Sequence, residues 1–158
     1  MPNKESKKRG FTLIELMMVI FIVSIGIAGV LNLIAKIFLH SRFTSSKLTA
    51  VYLAQEGMEI VRNIRDTNWV KGESWDQGIT AGDFEADWDD QSLSFYQGRY
   101  LRVNGNFYNY DTGQLTKFKR KITIGKEVDK ISVWVKVDWV ETGENYQTEA
   151  YGELYNWR

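Results

Sequence analysis

The hydrophobic and polar positions divide the chain into three stretches. Residues 1–10 are polar and basic. Residues 16–35, reading LMMVIFIVSIGIAGVLNLIA, carry no charge at all. As a helix this run would extend about 30 Å, the thickness of a bilayer's hydrocarbon core. Beyond Leu39 the pattern turns amphipathic. Leu48, Val51, Ala54, Met58, Val61 and Ile64 recur at intervals of three and four, while Glu56, Glu59, Arg62 and Arg65 supply a polar side. One nearly continuous helix is predicted over 11–65. Arg62 and Asp66 stand four apart, the spacing of a surface ion pair. Gly57 interrupts the second half at a cost of about 1 kcal/mol relative to alanine. A close approach by a strand would give it a reason.

Residues 66–92 read as an irregular segment with glycines at 72, 78 and 82 and tryptophans at 69, 75 and 88. A loop of that length is expected to be packed by its own side chains or to serve a function. Strands dominate afterwards. A strand over 93–103 leads to the turn pair Asn104-Gly105, and another covers 107–110. Residues 117–124 alternate, with Phe118, Ile122 and Ile124 apolar. The clearest strand is 131–140: Ile131, Val133, Val135, Val137 and Trp139 share one face, and Ser132, Lys136 and Asp138 the other. A turn around Gly143 returns the chain through 146–155. Short connections make these strands antiparallel, and one face of the sheet should cover the helix stripe. The expected class is α+β: a long N-terminal helix, membrane-spanning in its first half and amphipathic in its second, packed on an antiparallel sheet.

Composition and charge refine this picture. The chain of 158 residues has no cysteine, which excludes disulfides, thiolate metal sites and cysteine nucleophiles. Its one histidine, His40, excludes a multi-histidine metal centre and reads as an interfacial surface residue. Lys4, Lys7, Lys8 and Arg9 against Glu5 give residues 1–9 a charge of +3 and leave the rest at −3. A basic start before a long apolar run keeps the N-terminus cytoplasmic by the positive-inside rule, and places the C-terminal domain outside. Lys36 and Arg42 weaken this bias without reversing it. An ordinary secretory signal fits less well, because its apolar region runs only about 7–15 residues. It also has no use for Glu15.

The junction between leader and apolar run reads Lys8-Arg9-Gly10-Phe11-Thr12-Leu13-Ile14-Glu15-Leu16. This resembles the processing and methylation site of type IV prepilins and of type II secretion pseudopilins. Its position, ahead of a membrane-length helix and a mostly β domain, extends the resemblance. Tyr52-Leu53-Ala54-Gln55-Glu56-Gly57 looks like minor pilins, though far less specifically. The resemblance implies cleavage between Gly10 and Phe11 by a membrane aspartyl prepilin peptidase, and N-methylation of the new Phe11 amine, commonly by the same enzyme. It then implies withdrawal from membrane lipid into a filament with other pilin or pseudopilin subunits, through an inner-membrane assembly platform. The resulting division is a leader over 1–10, a transmembrane and filament-core helix over 11–40, an amphipathic half over 41–65 and a globular loop and sheet domain over 66–158.

Glu15 gains a purpose in this scheme. A charge in the hydrocarbon costs about 2.5–3.5 kcal/mol on insertion scales. Cleavage creates a cationic amine at Phe11, and two unit charges about 4 Å apart attract by about 4 kcal/mol at an effective dielectric near 20. Interfacial snorkelling is the plainer alternative for Glu15. Ser24 and Ala28, with Gly26 and Gly29 beside them, form a small-xxx-small face that admits a neighbouring helix, or else reflect ordinary membrane-helix composition. Many filament-forming members carry a proline along this helix. This chain has Asn32 there, and its one proline is Pro2, which moves the resemblance toward a minor subunit.

Two further clusters are weaker candidates. Asp83, Glu85, Asp87, Asp89 and Asp90 offer oxygen ligands for calcium, with Asp83, Asp87 and Asp89 as the metal candidates. Phe84 and Trp88 interrupt the run, so a solvated acidic loop and no cofactor is the favoured reading. Lys117-Phe118-Lys119-Arg120-Lys121 offers a basic patch for nucleic acid. The favoured reading is the polar face and rim of a strand, guarding an edge. No motif groups serine, aspartate or glutamate around a nucleophile, so no enzyme is expected. The expected function is structural: a minor pilin or pseudopilin that reaches an extracellular filament from the inner membrane. Alternatives are a filament-tip binding module, adhesive or DNA-binding, and a single-pass anchored domain that never assembles.

Overall fold

The computed structural model describes residues 10–156. The leader residues 1–9 lie outside the described residues. The chain divides into two compact units, Met1–Arg42 and Phe43–Arg158.

One helix, α1, runs over Leu13–Lys71. Thr12 caps it: the Glu15 backbone N–H donates to Thr12 Oγ1 at 3.3 Å, and the Leu16 N–H to the Thr12 carbonyl at 3.2 Å. Thr12-x-x-Glu15 is the sequence pattern of a capping box. At the far end Gly72 takes φ +74°. Its N–H donates to the Trp69 carbonyl, and the Glu73 N–H to that of Asn68. This is a Schellman closure, which satisfies carbonyls that a helix end leaves open. The helix therefore continues six residues past Arg65, and the loop begins that much later.

In the second unit the buried line of α1 passes through Ser46, Ala50, Leu53, Gly57, Ile60, Ile64 and Asn68, flanked by Ala54, Met58, Val61 and Arg65. The line is rotated from the expected stripe. Leu48 is exposed and Leu53 and Ile60 are buried instead. Arg65, expected on the polar side, is buried; its guanidinium lies over the Trp69 ring and pairs with Asp66. Arg62 pairs with Glu59 rather than Asp66.

Eight strands follow: β1 Gly82–Glu85, β2 Ser94–Phe95, β3 Arg102–Asn104, β4 Phe107–Asn109, β5 Gln114–Leu115, β6 Phe118–Lys126, β7 Lys130–Glu141 and β8 Glu144–Tyr155. All pairings are antiparallel. They form a five-stranded sheet ordered β2-β1-β6-β7-β8 and a three-stranded sheet ordered β4-β3-β5. β7 and β8 turn through Thr142 (φ 49°) and Gly143 (φ 85°), the two positive angles that match strand twist. The β3–β4 turn uses Gly105-Asn106, one residue later than the expected pair, since Asn104 itself pairs with Phe107.

The strand expected over 93–103 is instead two short strands joined by a crossing segment. Gly98 takes φ +73°, which breaks the run. The carboxylate of Glu85, fully buried, accepts the Gln97 N–H and pairs with Arg99 at 2.6 Å. Leu101 is also buried, and its N–H donates to the Phe118 carbonyl. Between α1 and β1 the loop is packed as expected: Trp75 and Ile79 are buried, and the Asn68 amide donates to the carbonyls of Trp75 and Gln77.

The core lies between α1 and the inner face of β6 and β7. Phe118, Ile122, Ile124, Ile131, Val133, Val135, Val137 and Trp139 are all buried. Gly57 sits where the helix meets this face. A Cβ there would stand 2.7 Å from Val135 Cγ1 and 3.2 Å from Arg120 Cδ. The glycine is the contact point of helix and sheet, as the sequence suggested.

Candidate functional site

The N-terminal junction is open. Gly10, Phe11 and Thr12 precede the helix, and Gly10 and Phe11 are exposed, Phe11 at 79 %. Nothing lies within 4 Å of where a Gly10 Cβ would be. Among the described residues, no neighbour therefore demands glycine at this position. A residue without a side chain leaves the backbone open to close approach from outside.

Glu15 is the third residue of α1 and is exposed. A carboxylate in a first helical turn sits favourably against the helix dipole. It stands among exposed apolar neighbours: Leu13, Ile14, Leu16, Met17 and Met18 all show more than half their surface. The helix contains an 18-residue window of mean hydropathy 2.6, none of it buried. Among the described residues of this unit the apolar side chains have no packing partner, and lipid or other helices would suit them.

The polar side chains in the apolar stretch are answered within the helix. Ser24 Oγ donates to the Ile20 carbonyl at 2.7 Å, and Asn32 Nδ2 to that of Ala28 at 2.9 Å. Such bonds lower the cost of a polar group in hydrocarbon. Gly26 and Gly29, like Gly10, have nothing within 4 Å of a built Cβ. Each glycine costs a helix about 1 kcal/mol relative to alanine, and no contact among the described residues of the unit offsets it.

The acidic cluster does not converge. No group of three or more His, Cys, Asp or Glu side chains among the described residues is placed to hold a metal ion. Asp83 accepts from Thr123 Oγ1 at 2.6 Å and pairs with Lys121, which hold its carboxyl below the usual range. Asp87 caps locally with Asp90, whose Oδ2 accepts the Asp87 N–H at 2.7 Å. Burial, then the nearby Asp90 charge, push the Asp87 carboxyl up. Asp89 is exposed.

The basic run over 117–121 is not a strand edge. β6 lies inside the sheet, between β1 and β7. Lys117 pairs with Glu141 and donates to Ser46 Oγ at 2.6 Å, and Lys121 pairs with Asp83. Arg120 is fully buried. Its guanidinium donates to the carbonyls of Leu53 at 3.3 Å and Ala86 at 2.7 Å, and pairs with Glu56 at 3.3 Å. Of the run, only Lys119 is without a carboxylate partner among the described residues; it lies over the Tyr100 ring at 4.3 Å. The run is built into the fold: three of its four cations are paired with carboxylates. Sequence reading missed Arg120 because every other residue of β6 faces inward, and the alternation that buries Phe118 and Ile122 buries Arg120 with them.

A family model described as the prokaryotic N-terminal methylation motif matches residues 6–31. The match holds Gly10, Phe11, Glu15, Ser24, Ala28 and both membrane-segment glycines. No curated protein and no solved structure matches the chain.

Proposed function

For this type IV pilin-like protein, whose motif is that of subunits processed by prepilin peptidase, we propose the role of a minor pilin or pseudopilin: a non-catalytic filament subunit. In this reading the peptidase cuts Gly10 from Phe11, and the Phe11 amine is methylated. The first half of α1 holds the precursor in the inner membrane with its N-terminus cytoplasmic, then passes into the filament core. Glu15 meets a Phe11 amine of its own or a neighbouring subunit. Ser24, Ala28, Gly26 and Gly29 take a neighbouring helix.

The observation that carries this reading is the unrepaid surface of the helix. Residues 13–39 expose their apolar side chains, and Gly26 and Gly29 open the helix surface with no partner among the described residues of the unit. Lipid satisfies the apolar side chains alone. A close-packed helix satisfies both features.

The test is incorporation. The chain is expressed with a prepilin peptidase and a filament assembly system, and sheared filaments are probed for it. The wild type enters filaments. Glu15→Ala is processed and remains in the membrane, but its share of the sheared fraction falls severalfold. Incorporation of Glu15→Ala at wild-type levels contradicts the role given to Glu15. A wild-type chain found only in membranes contradicts the subunit reading and leaves a single-pass anchored domain.

A further inference from the structure

The sheet face turned away from α1 carries a groove of about 420 Å³, within the roughly 300–1,000 Å³ usual for small-molecule sites. Its floor is a row across three strands. Lys119 on β6 stands opposite Asp138 on β7, and Asp138 opposite Gln147 on β8. The row thus sets a lysine, an aspartate and a glutamine on three neighbouring strands, about 4.8 Å apart at the backbone. Asn145 lies at one end, and Tyr96 and Tyr100 of the crossing segment form the wall.

These groups are largely uncommitted. Among the described residues, the Tyr96 and Tyr100 hydroxyls and the Asn145 and Gln147 amides make no side-chain hydrogen bond. Lys119 lies over one face of the Tyr100 ring at 4.3 Å and Lys121 over one face of the Tyr96 ring at 5.9 Å, so a ligand meets the opposite face or the edge of each ring. Among the described residues Asp138 pairs with Lys136 alone, at 3.2 Å.

We propose that this groove is a binding site for a neutral saccharide. Aromatic walls receive the apolar C–H face of a sugar ring while their polar tips stay wet. A mixed floor answers hydroxyls, each of which both donates and accepts. Charge selects against the alternatives. Of the charged lining residues, Lys117 is paired with Glu141 and Asp138 with Lys136, which leaves the single ammonium of Lys119, too little charge to select a polyphosphate and no free carboxylate for a polycation. The inference concerns the sheet domain and holds whether or not the helix assembles.

The full chain is tested in dodecylphosphocholine micelles, whose headgroup carries no sugar. Chitotetraose, cellotetraose, maltotetraose and mannotetraose are titrated by calorimetry and by amide chemical shifts. Heparin and an oligothymidylate serve as anionic comparisons. The expected result is saturable binding of a neutral tetrasaccharide at roughly millimolar affinity or tighter. Tyr100→Ala and Asn145→Ala should each weaken it about tenfold, with unchanged spectra elsewhere. Tyr155→Ala, an exposed tyrosine outside the groove, should bind like wild type. Failure of all four sugars, unaltered affinity in Tyr100→Ala, or binding of the anionic polymers alone would overturn the proposal.

Discussion

Gly57 and Val135 set the distance between helix and sheet: a methyl group on Gly57 would stand 2.7 Å from Val135 Cγ1. Gly57→Ala gains about 1 kcal/mol of helix propensity but forces an overpacked contact that costs roughly 1–3 kcal/mol. The expected net is a loss of about 1 kcal/mol, read from denaturant midpoints in micelles. Because the closest contact is with Val135, ahead of Arg120 Cδ at 3.2 Å, Val135→Ala should cost less in the Gly57→Ala background than in the wild type.

Arg120 joins three elements, holding the Leu53 carbonyl on α1, the Ala86 carbonyl after β1 and Glu56. Its Nε has no partner in the structure, so the cluster is not fully satisfied. Arg120→Ala leaves a cavity, two bared carbonyls and a partly exposed Glu56. The expected loss is about 3 kcal/mol. Arg120→Met fills the space and should cost less. Equal losses in the two variants would mean that charge, rather than packing, is what the site requires.

Glu153 accepts hydrogen bonds from the Tyr151 and Tyr155 hydroxyls and pairs with Lys130 at 3.1 Å. These contacts hold its carboxyl at about 2, below the ordinary 4.5. A depressed folded value means that the unfolded chain binds the proton first. The stabilisation is present above pH 4.5 and is lost as the pH falls toward 2. Thermal midpoints between pH 6 and 2.5 should fall less for Glu153→Gln than for wild type. Asp87, whose carboxyl is pushed up, contributes in the opposite sense. Its ionisation costs stability as the pH rises above 3.8, so Asp87→Asn should flatten that part of the profile.

Gly26 has open space around it, so Gly26→Leu should leave the unfolding midpoint of the sheet domain unchanged. In a filament the leucine would occupy the space of a neighbouring helix. Recovery of the variant in sheared filaments should fall severalfold while its membrane level is kept. Undiminished recovery would remove Gly26 from the helix contact.

Periodicity made much of this fold legible. The alternation of 131–140 marks β7 and its buried face, and an uncharged run of membrane length marks the first half of α1. Gly57 announced a close contact by its very cost. Features decided by end chemistry were less plain but had signals. Lys71-Gly72 marks the helix end, and Thr12-x-x-Glu15 its start. Arg120, Arg65 and Glu85 had none. Their charges read as surface, and only the carbonyls, rings and counter-charges brought to them by distant segments make their burial tolerable. The groove on the sheet was equally hidden, because Tyr96, Lys119, Asp138 and Gln147 meet only once the strands are in register.

The N-terminus of the mature chain bears most directly on the central claim. The full sequence is expressed with a prepilin peptidase, and its N-terminal peptide is read by tandem mass spectrometry. The expected peptide begins at Phe11 and carries one methyl group on its amine. A chain that keeps the leader through Gly10, or that is cut at any other bond, would contradict the processing on which the assembly of this helix rests.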